Sequence, residues 1–137
     1  MRILFTVLFV AALAACTTPA PPAPEPGAHA NHLSGTKWRR VDDMNANPHG
    51  ATIEFEGARA SGYTGCNRWF ADVSEDGGSL RFGPIGMTRM ACQTEMQRDT
   101  ERNFVSMLER VRYVDYDQSA LAFQDEQQNV IAEFQVE

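Results

Sequence analysis

The side chains with the greatest chemical capacity in this 137-residue sequence are its three cysteines. They are Cys16, Cys66 and Cys92. A cysteine acts as a nucleophile when a histidine base lies within hydrogen-bond reach. The three histidines, His29, His32 and His49, lie in polar segments that do not adjoin Cys66 in sequence. The sequence therefore predicts no catalytic residue, no metal site and no cofactor, and we do not expect an enzyme.

The N-terminal residues indicate where the protein is located and hence which cysteines can pair. Arg2 supplies a positive start, residues 3–15 form an apolar run broken only by Thr6, and small residues end it. This order is typical of a secretory signal peptide, here residues 1–15. At about 13 residues the run is shorter than the roughly 20 that a membrane-spanning helix needs.

Residues 13–16, Leu-Ala-Ala-Cys, resemble the lipobox of bacterial lipoproteins. The resemblance implies that cleavage leaves Cys16 first, carrying diacylglycerol on its sulfur and a fatty acid such as palmitate on its amino group. More than one acyl chain gives a stable membrane anchor. Thr17 stands where Asp would signal retention in the inner membrane. We therefore expect a lipid anchor in the outer membrane, with the rest of the chain in the periplasm.

A tether follows the lipidated cysteine. Residues 17–32 contain five prolines and no large apolar residue, so they cannot bury enough surface to offset their chain entropy. We assign residues 16–33 to the lipidated cysteine and its tether, and residues 34–137 to a single domain of ordinary size.

The net charge argues against two classes of main partner. Without Arg2 the chain keeps 11 Lys and Arg against 18 Asp and Glu, a net charge of −7. Nucleic acid and anionic bilayer surfaces attract basic proteins, so neither is expected to be the main partner of this domain.

Alternating apolar residues predict strands through most of the domain. In ATIEFE, Ile53 and Phe55 lie on one face and glutamates on the other, which is the pattern of a half-buried strand. Leu80 and Phe82 are expected to point inward in the same way. A last strand, NVIAEFQVE, is expected to place Val130, Ala132, Phe134 and Val136 on one face. The other strand candidates are TKWRRVD, ARASGYTG, NRWFADV (ended by the turn SEDGG), RYVDYD and ALAFQ.

The spacing changes between Thr94 and Val111, where it predicts a helix. Apolar residues and one threonine recur at spacings of three and four. They are Met96, Thr100, Phe104, Met107, Leu108 and Val111. Thr94 and Gln97 fit a capping box at the start. The fold class expected is mainly β (α+β): about eight short antiparallel strands, curved into a small barrel or half-barrel, with one helix packed on it.

Two motifs, each with a cysteine, carry a family resemblance. GYTGCNRWFADV is followed by GPIGMTRMAC, then by the predicted helix and short strands. This order resembles the META/HslJ family over nearly the whole domain, from Trp38 to the last strand. The resemblance implies a mostly antiparallel β fold with one helix in a small bacterial envelope protein. It also implies an association with heat-shock or envelope stress in some members and no established enzymatic activity.

Cys66 and Cys92 remain once Cys16 is assigned to lipid. In an oxidising compartment two such cysteines tend to form a disulfide. On the chain-entropy model, a disulfide that closes a loop of about 26 residues raises the free energy of unfolding by roughly 3.5 kcal/mol. A disulfide is the expected state. Two free buried thiols, or reactive or metal-binding thiols, are the alternatives.

Several other residues are assigned either a structural or a binding role. Gly62 and Gly65 are expected to allow positive φ in the turn before Cys66, and the Asn67 side chain to cap that turn. Arg89 either faces a ligand or offsets acidic neighbours. The large aromatic residues either fill the core or line a small apolar pocket. They are Trp38, Trp69, Phe70 and Phe104.

The function expected from these features is binding rather than catalysis. The leading hypothesis is a protein-interaction module for envelope maintenance or stress tolerance, in which a strand edge or apolar patch engages a periplasmic protein. The alternative is a small-molecule or lipid carrier with a cavity between sheet and helix. A cavity of roughly 300 Å³ or more, lined by the large aromatic residues, would favour the carrier.

Overall fold

A computed structural model describes residues 32–44, 47, 48 and 50–137. The predicted signal peptide, Cys16, the predicted tether up to residue 31 and His49 lie outside the described residues, so what is expected of them stays a prediction. Within the described residues, no helix is both long enough and apolar enough to span a membrane.

Nine strands and one helix form within the described residues. They are β1 (Lys37–Arg40), β2 (Thr52–Glu56), β3 (Arg59–Tyr63), β4 (Arg68–Asp76), β5 (Ser79–Phe82), β6 (Gly86–Met87), α1 (Glu95–Arg110), β7 (Tyr113–Tyr116), β8 (Ala120–Gln124) and β9 (Val130–Val136).

Eight of the strands close into an antiparallel barrel. Their order is β3-β2-β1-β9-β8-β7-β5-β4, and the pairing of β3 with β4 closes the ring. The long strand β4 pairs with β3 along its first half and with β5 along its second half. The two-residue strand β6 pairs with β4 at Trp69 and Phe70. The expected fold class, a small curved antiparallel sheet with one helix packed on it, is confirmed.

Aromatic rings fill the inside of the barrel. Phe82 lies 5.7 Å from Phe123, which lies 5.0 Å from Phe134, measured between ring centroids. Trp69 contacts Phe82 at 6.0 Å and Phe104 of α1 at 5.5 Å. These edge-to-face and tilted contacts are the arrangements that ring quadrupoles favour. The helix therefore completes the same core that the strands form.

The capping box predicted at the start of α1 is present. Thr94 is the N-cap, and its hydroxyl accepts a hydrogen bond from the Gln97 amide at 3.1 Å. The Gln97 side chain accepts one from the Thr94 amide at 3.2 Å. Two amides that a helix start otherwise leaves without partners are satisfied.

Burial differs from the expected pattern at the ends of two elements. Met96 is 57% exposed because it lies in the first turn of α1, and Thr100 is the first helix residue to be buried. Val130 and Val136 are 53% and 50% exposed. In β9, Phe123 pairs with Ala132 but Gln124 pairs with Val130, so a bulge shifts the alternation. Val136 is the last residue of β9.

Two boundaries also differ from the expectation. Strand β4 continues through Ser74, Glu75 and Asp76, and the turn is made by Gly77 and Gly78 alone. Both glycines have positive φ, at 54° and 84°, which other residues adopt at a cost. The ninth strand β6 was not expected from the sequence because two residues are too few for an alternation to be visible.

Candidate functional site

The loop between β3 and β4 is built around the hydroxyl of Thr64. This hydroxyl accepts hydrogen bonds from the amides of Cys66 at 3.2 Å and Asn67 at 3.0 Å. Gly65 has φ +107°, and a Cβ on it would lie 2.7 Å from the Asn47 side chain. Positive φ is confirmed at Gly65, whereas the same prediction for Gly62 is wrong, because Gly62 lies within strand β3 without positive φ. The capping residue, however, is Thr64 rather than Asn67.

The Asn67 side chain connects three parts of the chain. Its Oδ1 accepts hydrogen bonds from the Thr88 hydroxyl and the Met90 amide, both at 2.8 Å. Its Nδ2 donates to the Met90 carbonyl at 3.2 Å and to Glu101 at 3.2 Å. Asn67 is 2% exposed, and a buried amide left without partners would be costly. The two motifs therefore meet at Asn67, which holds them against α1.

Glu101 of α1 is the second member of this network. Its Oε2 accepts hydrogen bonds from the Thr64 hydroxyl at 2.7 Å and the Asn67 amide at 3.1 Å. Bonds to an ionised carboxylate are stronger than neutral ones. Glu101 was not singled out in the sequence. Its position between Thr100 and Phe104, on the buried side of the predicted helix, could have indicated that its carboxylate faces the core and needs polar partners there.

Cys66 and Cys92 form a disulfide, with their Cα atoms 5.6 Å apart. Cys66 is buried and Cys92 is half-buried. The Asn67 Nδ2 lies 3.4 Å from the Cys66 sulfur. We name Thr64, Cys66, Asn67, Cys92 and Glu101 the cysteine cluster. Its reactive groups are a disulfide and one neighbouring carboxylate. Its contacts hold the β3–β4 loop against the start of α1.

The aromatic residues singled out in the sequence divide into two groups. Trp38, Trp69 and Phe104 are 2%, 1% and 0% exposed. The Trp38 indole donates to the Thr36 hydroxyl at 2.7 Å, so its polar atom is satisfied as a buried indole requires. Phe70, in contrast, is 47% exposed. Three of the four candidates are therefore core residues, and Phe70 alone is available at the surface.

Phe70 belongs to an aromatic and basic patch on the outer face of the barrel. The Arg59 guanidinium lies over the Phe70 ring, 5.0 Å from its centroid. Tyr63, on the neighbouring strand β3, is 37% exposed and is paired in register with Arg68. We name Arg59, Tyr63, Arg68 and Phe70 the outer patch. Sequence reasoning assigned no role to Arg59, Tyr63 or Arg68, since their proximity depends on the register of β3 and β4.

A groove of about 680 Å³ runs across this face. Its lining includes the outer patch, residues of β1 and β2, and three glutamates, Glu54, Glu56 and Glu137. Trp69 contributes to its floor, although the Trp69 side chain belongs to the core. Lys37 at one side is already paired with Glu54 at 2.8 Å. Within the described residues, Arg59 and Arg68 have no ion-pair partner. Arg59 contacts the Phe70 ring and is paired in register with the exposed Asp72.

Arg89 of the second motif is exposed. Among the residues that the structure describes, it has no hydrogen-bond or ion-pair partner. It follows Thr88, whose amide and hydroxyl are hydrogen-bonded to the Arg68 backbone in β4 at 3.0 Å and 3.1 Å. Its role, facing a ligand or offsetting acidic residues, stays a prediction.

The comparisons with known proteins agree with this architecture. The family model described as META domain matches residues 30–137. A solved NMR structure of a protein from Burkholderia xenovorans is 21% identical, covers 90% of this chain and 97% of its own, and has a TM-score of 0.61. The crystal structure of a DUF4847 family protein from Bacteroides vulgatus is 14% identical, covers 77% of this chain and 94% of its own, and has a TM-score of 0.56.

At these identities the two solved structures show a shared fold only. No curated protein matches the chain. The family model covers the barrel, the helix and both cysteine motifs. The chain belongs to the META domain family.

Proposed function

We propose that this protein is a non-enzymatic outer-membrane lipoprotein whose periplasmic META domain is a protein-interaction module, acting in envelope maintenance or stress tolerance. The anchor is supported by the signal-peptide pattern of residues 1–15 and the lipobox that ends at Cys16. The observation that carries the interaction role is the outer patch, an exposed aromatic pair flanked by two arginines without ion-pair partners in the described chain.

The composition of the outer patch is that of a protein interface. Tyr, Phe and Arg are enriched in the central part of such interfaces, and Tyr and Arg recur among the residues that contribute most binding energy. Arg59 and Arg68 lie on either side of Phe70 on one sheet face. A partner with an acidic side chain beside an apolar one would match the arginine charges and the aromatic surface of the outer patch.

The filled interior supports the interaction module over the carrier. A carrier needs an enclosed apolar space, and roughly 300 Å³ is the lower bound for a drug-sized ligand. Trp38, Trp69 and Phe104, which were the candidate lining of such a space, are packed to 2% exposure or less. The groove of about 680 Å³ lies on the outer face of the sheet, where a partner surface can reach it.

The test compares what co-purifies with the full chain and with variants of the outer patch after chemical cross-linking in cells. Arg68→Glu reverses one charge on an exposed side chain, and Phe70→Ala removes the central ring. A hot-spot residue contributes about 2 kcal/mol or more to binding, which corresponds to roughly 30-fold in affinity. We expect both variants to lose a protein that the unchanged chain recovers.

Val130→Ala is the matched control, because Val130 is an exposed apolar strand residue of β9. It should recover the partner as the unchanged chain does. Thermal melting of each variant establishes that it is folded. If Arg68→Glu and Phe70→Ala recover the same proteins as Val130→Ala, the outer patch is not the binding surface and the proposal fails.

A further inference from the structure

The cysteine cluster holds three atoms of the kinds that bind zinc. The sulfurs of Cys66 and Cys92 and a carboxylate oxygen of Glu101 all lie within 4.8 Å of one another. We propose that, when the disulfide is reduced, this site binds one divalent cation of the Zn²⁺ class through these three atoms. The site is independent of the outer patch and of the proposed interaction role.

The spacing of the ligands fits such an ion. In tetrahedral zinc sites the Zn–S distance is about 2.3 Å, so two ligating sulfurs are roughly 3.7 Å apart. The two cysteine Cα atoms are 5.6 Å apart, and Glu101 faces the cysteines from the second turn of α1. Cys66, Cys92 and Glu101 are therefore already close together in the fold, and only their side chains need to move to reach zinc geometry.

The groups around the ligands would orient them. Asn67 Nδ2 donates to the Cys66 sulfur at 3.4 Å and to Glu101 Oε1 at 3.2 Å. The Thr64 hydroxyl donates to Glu101 Oε2 at 2.7 Å. Second-shell donors of this kind fix ligand direction, and their loss weakens metal affinity by about 10- to 100-fold. Asn67 would thus orient two of the metal ligands, the Cys66 thiolate and the Glu101 carboxylate.

The charge of the reduced cluster favours a cation. With both thiols deprotonated, two thiolates and the Glu101 carboxylate would place three negative charges within 4.8 Å of one another. Such a group is unfavourable without a compensating positive ion. Cys92 and Glu101 are half-buried, and Glu101 also lines a groove of about 670 Å³ beside α1, from which an ion and a water as fourth ligand could reach the cluster.

Metal binding at this site requires reduction of the disulfide first. A dithiol reductant gives two electrons and two protons to the disulfide, the S–S bond breaks, and the reductant becomes its own disulfide. Zn²⁺ then displaces the two thiol protons and forms two Zn–S bonds. A newly made chain also contains these thiols before its disulfide forms, so metal binding and disulfide formation compete for the same sulfurs.

The test uses the full chain with Cys16→Ser, which leaves Cys66 and Cys92 as the cysteines. After reduction and anaerobic removal of the reductant, Co²⁺ is added as a spectroscopic substitute for Zn²⁺. We expect one equivalent to produce thiolate-to-cobalt charge-transfer bands and the visible bands of a tetrahedral site, and Zn²⁺ to abolish both. The oxidised chain should produce neither.

Glu101→Gln tests the third ligand, with Glu95→Gln on the same helix as its matched control. We expect Glu101→Gln to weaken Zn²⁺ binding at least tenfold in competition with a chromophoric chelator, and Glu95→Gln to leave it unchanged. Circular dichroism of the oxidised variants, in which the disulfide is retained, establishes that they fold. Absence of charge-transfer bands in the reduced chain overturns the proposal. Affinity of Glu101→Gln within twofold of the unchanged chain overturns it as well.

Discussion

Two glycines of the sheet are each paired in register with a large aromatic residue. Gly62 of β3 is opposite Trp69 of β4, and Gly86 of β6 is opposite Phe70. A Cβ on Gly86 would lie 2.4 Å from the Phe70 ring. The Trp69 indole donates to the Thr52 carbonyl at 3.2 Å across the strand that contains Gly62. At both positions the absence of a Cβ leaves space for an aromatic side chain to lie across the neighbouring strand.

Gly62→Ala is expected to destabilise the fold strongly. The added Cβ would lie 1.9 Å from the Thr52 carbonyl oxygen, and a backbone atom cannot move aside as a flexible side chain can. Overpacking of this kind costs about 3 kcal/mol. The free energy of unfolding in urea measures the loss. Gly83→Ala is the control, because its Cβ would meet its nearest atom at 3.5 Å. Equal stability of the two variants would contradict this account of Gly62.

Tyr116 is expected to make stability depend on alkaline pH. Burial, followed by the nearby Glu75 carboxylate, raises the pKa of Tyr116 from 10.0 to about 12, and its hydroxyl donates to Glu75 Oε1 at 3.1 Å. The folded state thus favours the protonated phenol. This contribution is fully present below pH 10 and is lost as pH rises from 10 to about 12.

Urea unfolding of the unchanged chain and of Tyr116→Phe between pH 9 and about pH 12 tests this dependence. The stability of the unchanged chain should fall further over that range than that of Tyr116→Phe, since phenylalanine cannot ionise. Parallel curves for the two proteins would show that Tyr116 does not titrate abnormally.

At the scale of elements, the helix and most strands follow directly from the spacing of apolar residues. The alternation in ATIEFE places Ile53 and Phe55 inside at 1% exposure each, as expected from the sequence. The exceptions have local causes: a bulge near Gln124 exposes Val130, and β6 is only two residues long. A bulge and a two-residue strand leave no periodic signal, because each depends on a partner strand.

Thr94→Ala is the prediction that belongs to the helix. Loss of the hydroxyl removes the acceptor for the Gln97 amide, and loss of an N-cap side chain costs about 1 kcal/mol. The free energy of unfolding in urea should fall by that amount. Ser106→Ala, at an exposed position within α1, is the control and should not destabilise the protein. A Thr94→Ala variant as stable as the control would contradict the cap.

The sequence predicts the fold class and the family of the protein. The composition of the cysteine cluster and of the outer patch, in contrast, depends on how the strands and the helix are arranged. Cys66 and Cys92 could be paired by elimination, but Glu101 enters the cysteine cluster only because α1 packs beside the β3–β4 loop. The outer patch requires the register that sets Tyr63 opposite Arg68 and Ser61 opposite Phe70. These relationships join residues that no local pattern connects.

Site-specific photo-cross-linking in living cells would show whether the outer face of this META domain binds a protein. A photoreactive phenylalanine analogue replaces Phe70 in the full chain, and in a matched chain it replaces Val130. We predict an adduct of defined mass at position 70 that is absent at position 130 and is lost when Arg68→Glu is added. No adduct at position 70, or the same adducts at both positions, would contradict the claim.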